Sequence, residues 1–394
     1  MTEKSAPQSV PSYAWVILIV VYLASMAAPL NQFKVPPVMG TLMESYGMSM
    51  AVAGTLMSIF ALIGVVLALP SGFIMGRIGV KNAGLVALLC LMAGGAVGAL
   101  AGNIPVLMAS RVLEGVGMCL MSIVAPTALA TWFPPHKHGL ALGVWGTWVP
   151  IGSTIAFSIG PTIAAASGWT GVAWGSFGYT TVLFVAFLLL FRMPRAAAPL
   201  ADSAPAPQGA GMGAVLRQRD PWFLAISFAC FMMVTISLMT FLPAYFISTG
   251  LDQAAAAGKA SIYIIVNMVS IFLGGVISDK LGRKKCIVIP YIIIGGLMAF
   301  FFLPGDGIMF SMLAVGILGG FAVTPTFSAA PMLVAPADAG HAMAILALGQ
   351  NAGMAIGPAL FGMFAQNMGW DAAGYFTVPV ILLGAFLASR IKVK

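Results

Sequence analysis

Three charged side chains fall deep inside long apolar runs: Lys34, Arg111 and Glu114. A charge at the centre of a membrane helix costs about 2.5–3.5 kcal/mol on insertion scales, so each should face a bundle interior or water and find a partner. Arg111 and Glu114 stand three residues apart and share one helix face, as do Asn31 and Lys34. If all three charges are enclosed, they sum to one net positive charge. A positive pocket in low dielectric is best completed by an anion, which points to an organic anion as substrate. Glu114 is the natural proton carrier if transport is proton-linked, although Arg111 beside it favours the ionised form. The competing readings are a structural ion pair for Glu114 and, for Lys34, a side chain that snorkels to the nearer interface.

The second half of the chain offers no charge at that depth. Its substrate-contact candidates are Tyr245, Tyr263, Asn267, Thr324, Gln350 and Asn351. Such hydroxyls and amides can hydrogen-bond a carboxylate, although joining helix to helix is their commoner use. Trp145 and Trp148, three residues apart, wall a cavity or pack against neighbours. No nucleophile–base pair, phosphate loop or metal cluster occurs at working spacing. The sequence therefore points away from an enzyme and from an ATP-driven pump, with no cofactor and no metal. His136 and His138 flank Lys137 without further ligands nearby and read as solvated. Cys90, Cys119, Cys230 and Cys286 lie in or beside apolar runs, where packing accounts for them.

These residues are carried by a chain that is 60% hydrophobic and only 7% charged, with a mean hydropathy of +1.03. A soluble domain is about one-quarter charged. Apolar stretches long enough to cross a bilayer recur from Tyr13 to the end, without the alternation of barrel strands. The start is polar, and its first apolar run outlasts a signal-peptide core, so it reads as a retained span. Breaks of Pro, Gly and charge predict an all-α membrane protein with twelve transmembrane helices. They run at 13–42, 48–75, 82–101, 104–131, 139–165, 171–191, 222–247, 257–278, 286–303, 307–330, 341–366 and 374–391. Residues 1–191 and 222–394 form two six-helix units, joined by an Ala/Pro-rich linker at 192–221.

Charge sorting supports that count. With twelve spans, one face holds Lys4, Arg77, Lys81, Lys137, Arg192, Arg195, Arg217, Arg219, Lys280, Arg283, Lys284, Lys285, Arg390, Lys392 and Lys394, and the other holds Lys259. The positive-inside rule then places both termini and the linker in the cytoplasm, in a bacterial inner membrane. The formal charge of +8 is thus topology, not a nucleic-acid surface.

The two halves are related. GMSMAVAG at Gly47 aligns with GLDQAAAA at Gly250, and at the same offset Ser58, Gly72 and Gly79 meet Ser261, Gly275 and Gly282. The runs Gly139 to Trp169 and Gly340 to Trp370 have equal length and share Gly152 and Gly353. Two six-helix bundles related by an axis along the membrane normal follow, with a site between them at the midplane.

The loop GFIMGRIGVK, Gly72 to Lys81, and its counterpart GVISDKLGRKK, Gly275 to Lys285, resemble the signature loop of the major facilitator superfamily. Its elements here are Gly72, Gly76, Arg77, Gly79 and Lys81, then Gly275, Asp279, Lys280, Gly282, Arg283 and Lys284. The first copy has Gly76 where the pattern has Asp, and Val80 where it has a basic residue. RVLEGVG, Arg111 to Gly117, resembles the fourth-helix motif of the same superfamily. WFPPHKHG resembles the loop after the fourth helix in organic-anion and nitrate-type members, and GQNAGMAIGP the eleventh helix of nitrate porters. The paired cavity arginines of nitrate porters are missing, which argues against nitrate.

The resemblance implies that the first, fourth, seventh and tenth helices line a central cavity holding Lys34, Arg111 and Glu114. It implies a monomeric secondary transporter of a mono- or dicarboxylate-like anion, alternating access by rocking of the halves, as proton symport or anion exchange. The alternatives are a drug or metabolite exporter, whose fifth-helix pattern GTWVPIGSTIAFSIGP matches poorly, and a non-transporting membrane sensor.

Overall fold

The computed structural model describes residues 11–68, 70–134, 137–193, 212–302, 307–335 and 338–392, apart from the side chains at 139, 272, 275, 276 and 279. Lys4, His136, Arg195, Lys394 and most of the expected linker lie outside these residues. The described residues form helices joined by short turns, as a chain in lipid must when each backbone N–H and C=O has to be satisfied within its own segment.

Among the described residues, ten helical stretches are long and apolar enough to cross a membrane. Two details bring the spans to the expected twelve. Leu140–Leu190 is broken at Ser167 and Gly168, where φ reaches 65°, and so is two spans. Arg283–Met298, at 16 residues, is a short ninth span. The first span is Ser12–Tyr46. The second begins with Met50–Leu67 and runs on into Pro70–Ala99, whose break at Gly79 starts the third. The fourth is Ile104–Trp132, the seventh Arg219–Ser248 and the eighth Gln253–Leu281. The tenth to twelfth are Gly307–Leu333, Ala339–Met368 and Trp370–Arg390.

Side-chain caps start three of them. Ser49, Asn103 and Asp252 each accept from a backbone N–H three residues on, at 3.4, 3.0 and 2.9 Å. The turns repeat with the sequence. Every positive-φ residue described is a glycine, and the six form three pairs about two hundred residues apart: Gly47 with Gly250, Gly79 with Gly282, Gly168 with Gly369. A side chain at any of them would strain the left-handed turn.

The two bundles differ at their centres. The second is filled by aromatic rings: Phe231 lies flat on Tyr291 with centroids 5.1 Å apart, and Phe228 stacks on Phe231 and meets Phe327 edge-on. The first holds charge at its centre instead.

The bundles meet along the second and eleventh spans and along the fifth and eighth. The hydrogen bonds described between them lie toward the face opposite the termini. Thr41 donates to Gln253 at 2.6 Å, and Gln253 donates to the Pro37 carbonyl at 3.2 Å. Ala51 N–H donates to Gln366 at 3.1 Å, and Ala359 N–H to Ser58 at 3.2 Å. Gly54 makes this contact possible, because a Cβ there would stand 2.4 Å from the Pro358 carbonyl oxygen. The seam is closed at this end.

Candidate functional site

Lys34, Arg111 and Glu114 come together. Lys34 Nζ donates to Glu114 Oε1 at 2.7 Å, to Asn31 Oδ1 at 2.9 Å and to Ser176 Oγ at 2.9 Å. Three acceptors use all three N–H bonds of an ammonium. Arg111 Nη1 donates to the other carboxylate oxygen of Glu114 and to the Asn31 carbonyl. Its Nη2 donates to the Gln32 carbonyl at 3.0 Å, and its Nε to the Leu56 carbonyl. The Asn31 and Gln32 carbonyls are open because the first helix ends at Phe33, with Pro36 and Pro37 just beyond it and without an N–H to donate. The charged groups are 0–2% exposed. Asn31 completes the set by donating to the Ala27 carbonyl and to Thr180.

The charged heads take all these partners from the first bundle, from its first, second, fourth and sixth spans. Gly94 of the third span presses on the same group, since a Cβ there would meet Glu114 Cγ at 2.4 Å. Rings cover the cations on two sides: Trp169 stands 5.6 Å from Lys34 Nζ and Phe60 4.8 Å from the Arg111 guanidinium. Ser176, Thr180 and Trp169 were not singled out in the sequence. The polar pair Ser176 and Thr180, one turn apart in an apolar run, was the signal available.

The other candidates scatter. Trp145 and Trp148 stack at 5.2 Å, with Trp145 N–H donating to Ser25 of the first span, so they pack the first bundle. Tyr245 is not at the midplane. It lies near the end of the seventh span, against Phe302 and Trp370. Asn267 donates to the Gly316 carbonyl and Thr324 to the Ile271 carbonyl, so both tie the eighth span to the tenth. Asn351 donates to its own helix and presses its side-chain oxygen toward Gly64 across the seam. Gln350 is half-buried beside it. Tyr263 is buried with no partner for its hydroxyl among the described residues.

The signature loops act as matched anchors. Lys81 donates to the Leu188 carbonyl at the end of the sixth span, and Lys284 to the Ile391 carbonyl just past the twelfth. Arg77 lies over Phe73 at 4.4 Å, Arg283 lies against Met332, and Lys280 sits in the last turn of its helix, favourably placed against the helix dipole. Gly79 and Gly282 make the turns, but Gly72 and Gly76 have open space around them and no close helix contact. The Asp279 side chain and the burial of Gly275 lie outside the described residues. His138 is not simply solvated, because its Nε2 meets the Ala130 and Phe133 carbonyls at 3.0 and 2.7 Å and closes the end of the fourth span.

The sequence pattern of the Major Facilitator Superfamily matches residues 21–289 and 259–393, which together cover both bundles. The chain belongs to that superfamily. It is a multi-pass membrane transporter and not an enzyme. A nitrite extrusion protein of Bacillus subtilis is 25% identical over 335 residues, 83% of this chain and 81% of that one. A probable nitrate transporter of Staphylococcus epidermidis is 25% identical over 80% of each chain. Two solved superfamily structures share the fold. A bacterial homologue of the human lysosomal transporter Spinster, in an inward-facing and unoccupied conformation, superposes with a TM-score of 0.84 at 17% identity, covering 97% of this chain and 98% of that one. A D-xylose–proton symporter gives 0.80 at 18%, covering 97% and 99%.

Proposed function

We propose that this superfamily transporter carries a small organic anion of mono- or dicarboxylate type across a bacterial inner membrane, with its termini in the cytoplasm. The two bundles rock about the seam, as proton symport or anion exchange, and the unit is a monomer. One observation carries the anion reading: two cations and one carboxylate are enclosed together at 0–2% exposure, which leaves one positive charge for a substrate to balance. The buried Tyr263 hydroxyl, without a partner among the described residues, supplies from the second bundle a donor suited to a carboxylate. Relatives named for nitrite and nitrate favour a second reading, an inorganic oxyanion, with the same requirement for positive charge.

Uptake into proteoliposomes of labelled monocarboxylates, dicarboxylates, nitrate and nitrite, with and without an imposed pH gradient or an anion on the far side, separates these readings. Saturable carboxylate uptake supports the first. Movement of nitrate or nitrite alone replaces it with the second, and movement of lipophilic cations alone removes both.

A further inference from the structure

On the face opposite the termini, a pocket of about 690 Å³ lies wholly within the first bundle. It is bounded by Ser45 and Tyr46 at the end of the first span, by Asn103 between the third and fourth, and by Trp169 and Thr170 at the start of the sixth. It is separate from the seam, which is shut at this end by Thr41, Gln253 and Gln366. The ring of Trp169 is at once a wall of this pocket and the cover over Lys34. Its indole N–H is held by a single bond, to the Gly98 carbonyl at 3.0 Å, and its backbone follows Gly168, a left-handed turn.

We infer that this pocket is the aqueous entry through which the buried cluster exchanges a proton, with Trp169 as the movable cover and Lys34 as the group that releases it. The inference deepens the anion reading and rests on it. With Lys34 as an ammonium the cluster carries one net positive charge, and with Lys34 as an amine it is neutral, so the proton on Lys34 follows the presence of the anion. In the release step Lys34 Nζ first gives up its contact with Ser176; that Nζ–H bond then breaks, its electron pair stays on nitrogen, and a water molecule entering from the pocket takes the proton as hydronium. The neighbours leave this role to Lys34. Arg111 is a guanidinium, charged at any working pH, and both oxygens of Glu114 are already engaged, one by each cation. The first span presents Asn31, the sixth Ser176, Thr180 and Trp169, the second the Leu56 carbonyl and the third Gly94, none of which titrates in this range.

Access can be read without transport. In a background with Cys90, Cys119, Cys230 and Cys286 replaced by serine, Ser176→Cys reports beside Lys34 in oriented proteoliposomes. A membrane-impermeant methanethiosulfonate should label it from the face opposite the termini, severalfold faster when Trp169→Ala is added. Labelling from the termini side only, or at a rate indifferent to Trp169→Ala, overturns the route. The proton role has its own readout, the ratio of uptake with a pH gradient to uptake without it. Lys34→Arg keeps the charge but holds its proton, and should bring that ratio to one. A wild-type protein that moves anions at a rate blind to the gradient overturns the inference and leaves the anion reading standing. A wild-type protein that moves no anion removes that reading, while the labelling result still judges the pocket.

Discussion

Replacing Glu114 by Gln keeps the shape of the side chain and removes the one negative charge of the buried cluster. In the wild type that carboxylate accepts from Lys34 at 2.7 Å and from Arg111, with all three groups 0–2% exposed. At an effective dielectric of about 20, each ion contact is worth about 4 kcal/mol at ~4 Å charge separation, offset by desolvation. Glu114→Gln strands two cations beside each other, and breaking a buried pair by removing one partner costs about 3–5 kcal/mol. Lys34→Met instead leaves Arg111 and Glu114 as a neutral pair, so it should cost clearly less. Unfolding midpoints of the purified variants in one detergent measure the difference. The double variant should be non-additive by about 0.5–3 kcal/mol, as expected for groups in direct contact. Equal midpoints for Glu114→Gln and Lys34→Met, or additive effects in the double variant, would refute the ion cluster as described.

Gly94 of the third span and Gly296 of the ninth should behave oppositely: Gly94→Val drives a side chain into Glu114 Cγ and lowers the midpoint, whereas Gly296→Val, with nothing within 4 Å, leaves it nearly unchanged. At the seam, Gly54→Val places its side chain on the Pro358 carbonyl and should disfavour closure at the face opposite the termini. A falling yield of disulfide between cysteines introduced at Ala51 and Gln366 reads that out, and an unchanged yield contradicts it. Gln253→Ala removes the bonds to Thr41 and Pro37, each worth about 0.5–1.5 kcal/mol net, and should lower the same yield more mildly than Gly54→Val.

Much of the architecture is legible in the sequence. Hydropathy and the charge asymmetry lead to twelve spans, and the repeat recovers the glycine turns, because a left-handed turn at Gly47 or Gly79 leaves a residue-type signature that recurs at Gly250 and Gly282. Grouping Lys34 with Arg111 and Glu114 followed from the cost of lone charges in lipid. Their direction did not follow. A helix apolar on all sides has no pattern to separate the face that meets another bundle from the face that meets its own, so the partners Asn31, Glu114 and Ser176 of Lys34 come only from the structure. Ser176 and Trp169 come from a span more than 130 residues away in the chain, and no local spacing links them to Lys34. The end position of Tyr245 was legible, since it stands two residues from the end of the expected span 222–247, but its ring contacts with Phe302 and Trp370 were not.

The central claim, that this transporter moves a small organic anion, is tested most directly by flux. Proteoliposomes holding the purified protein should take up a labelled mono- or dicarboxylate saturably, faster with an imposed pH gradient or with an anion on the far side. Uptake confined to nitrate, nitrite or lipophilic cations under those conditions would contradict it.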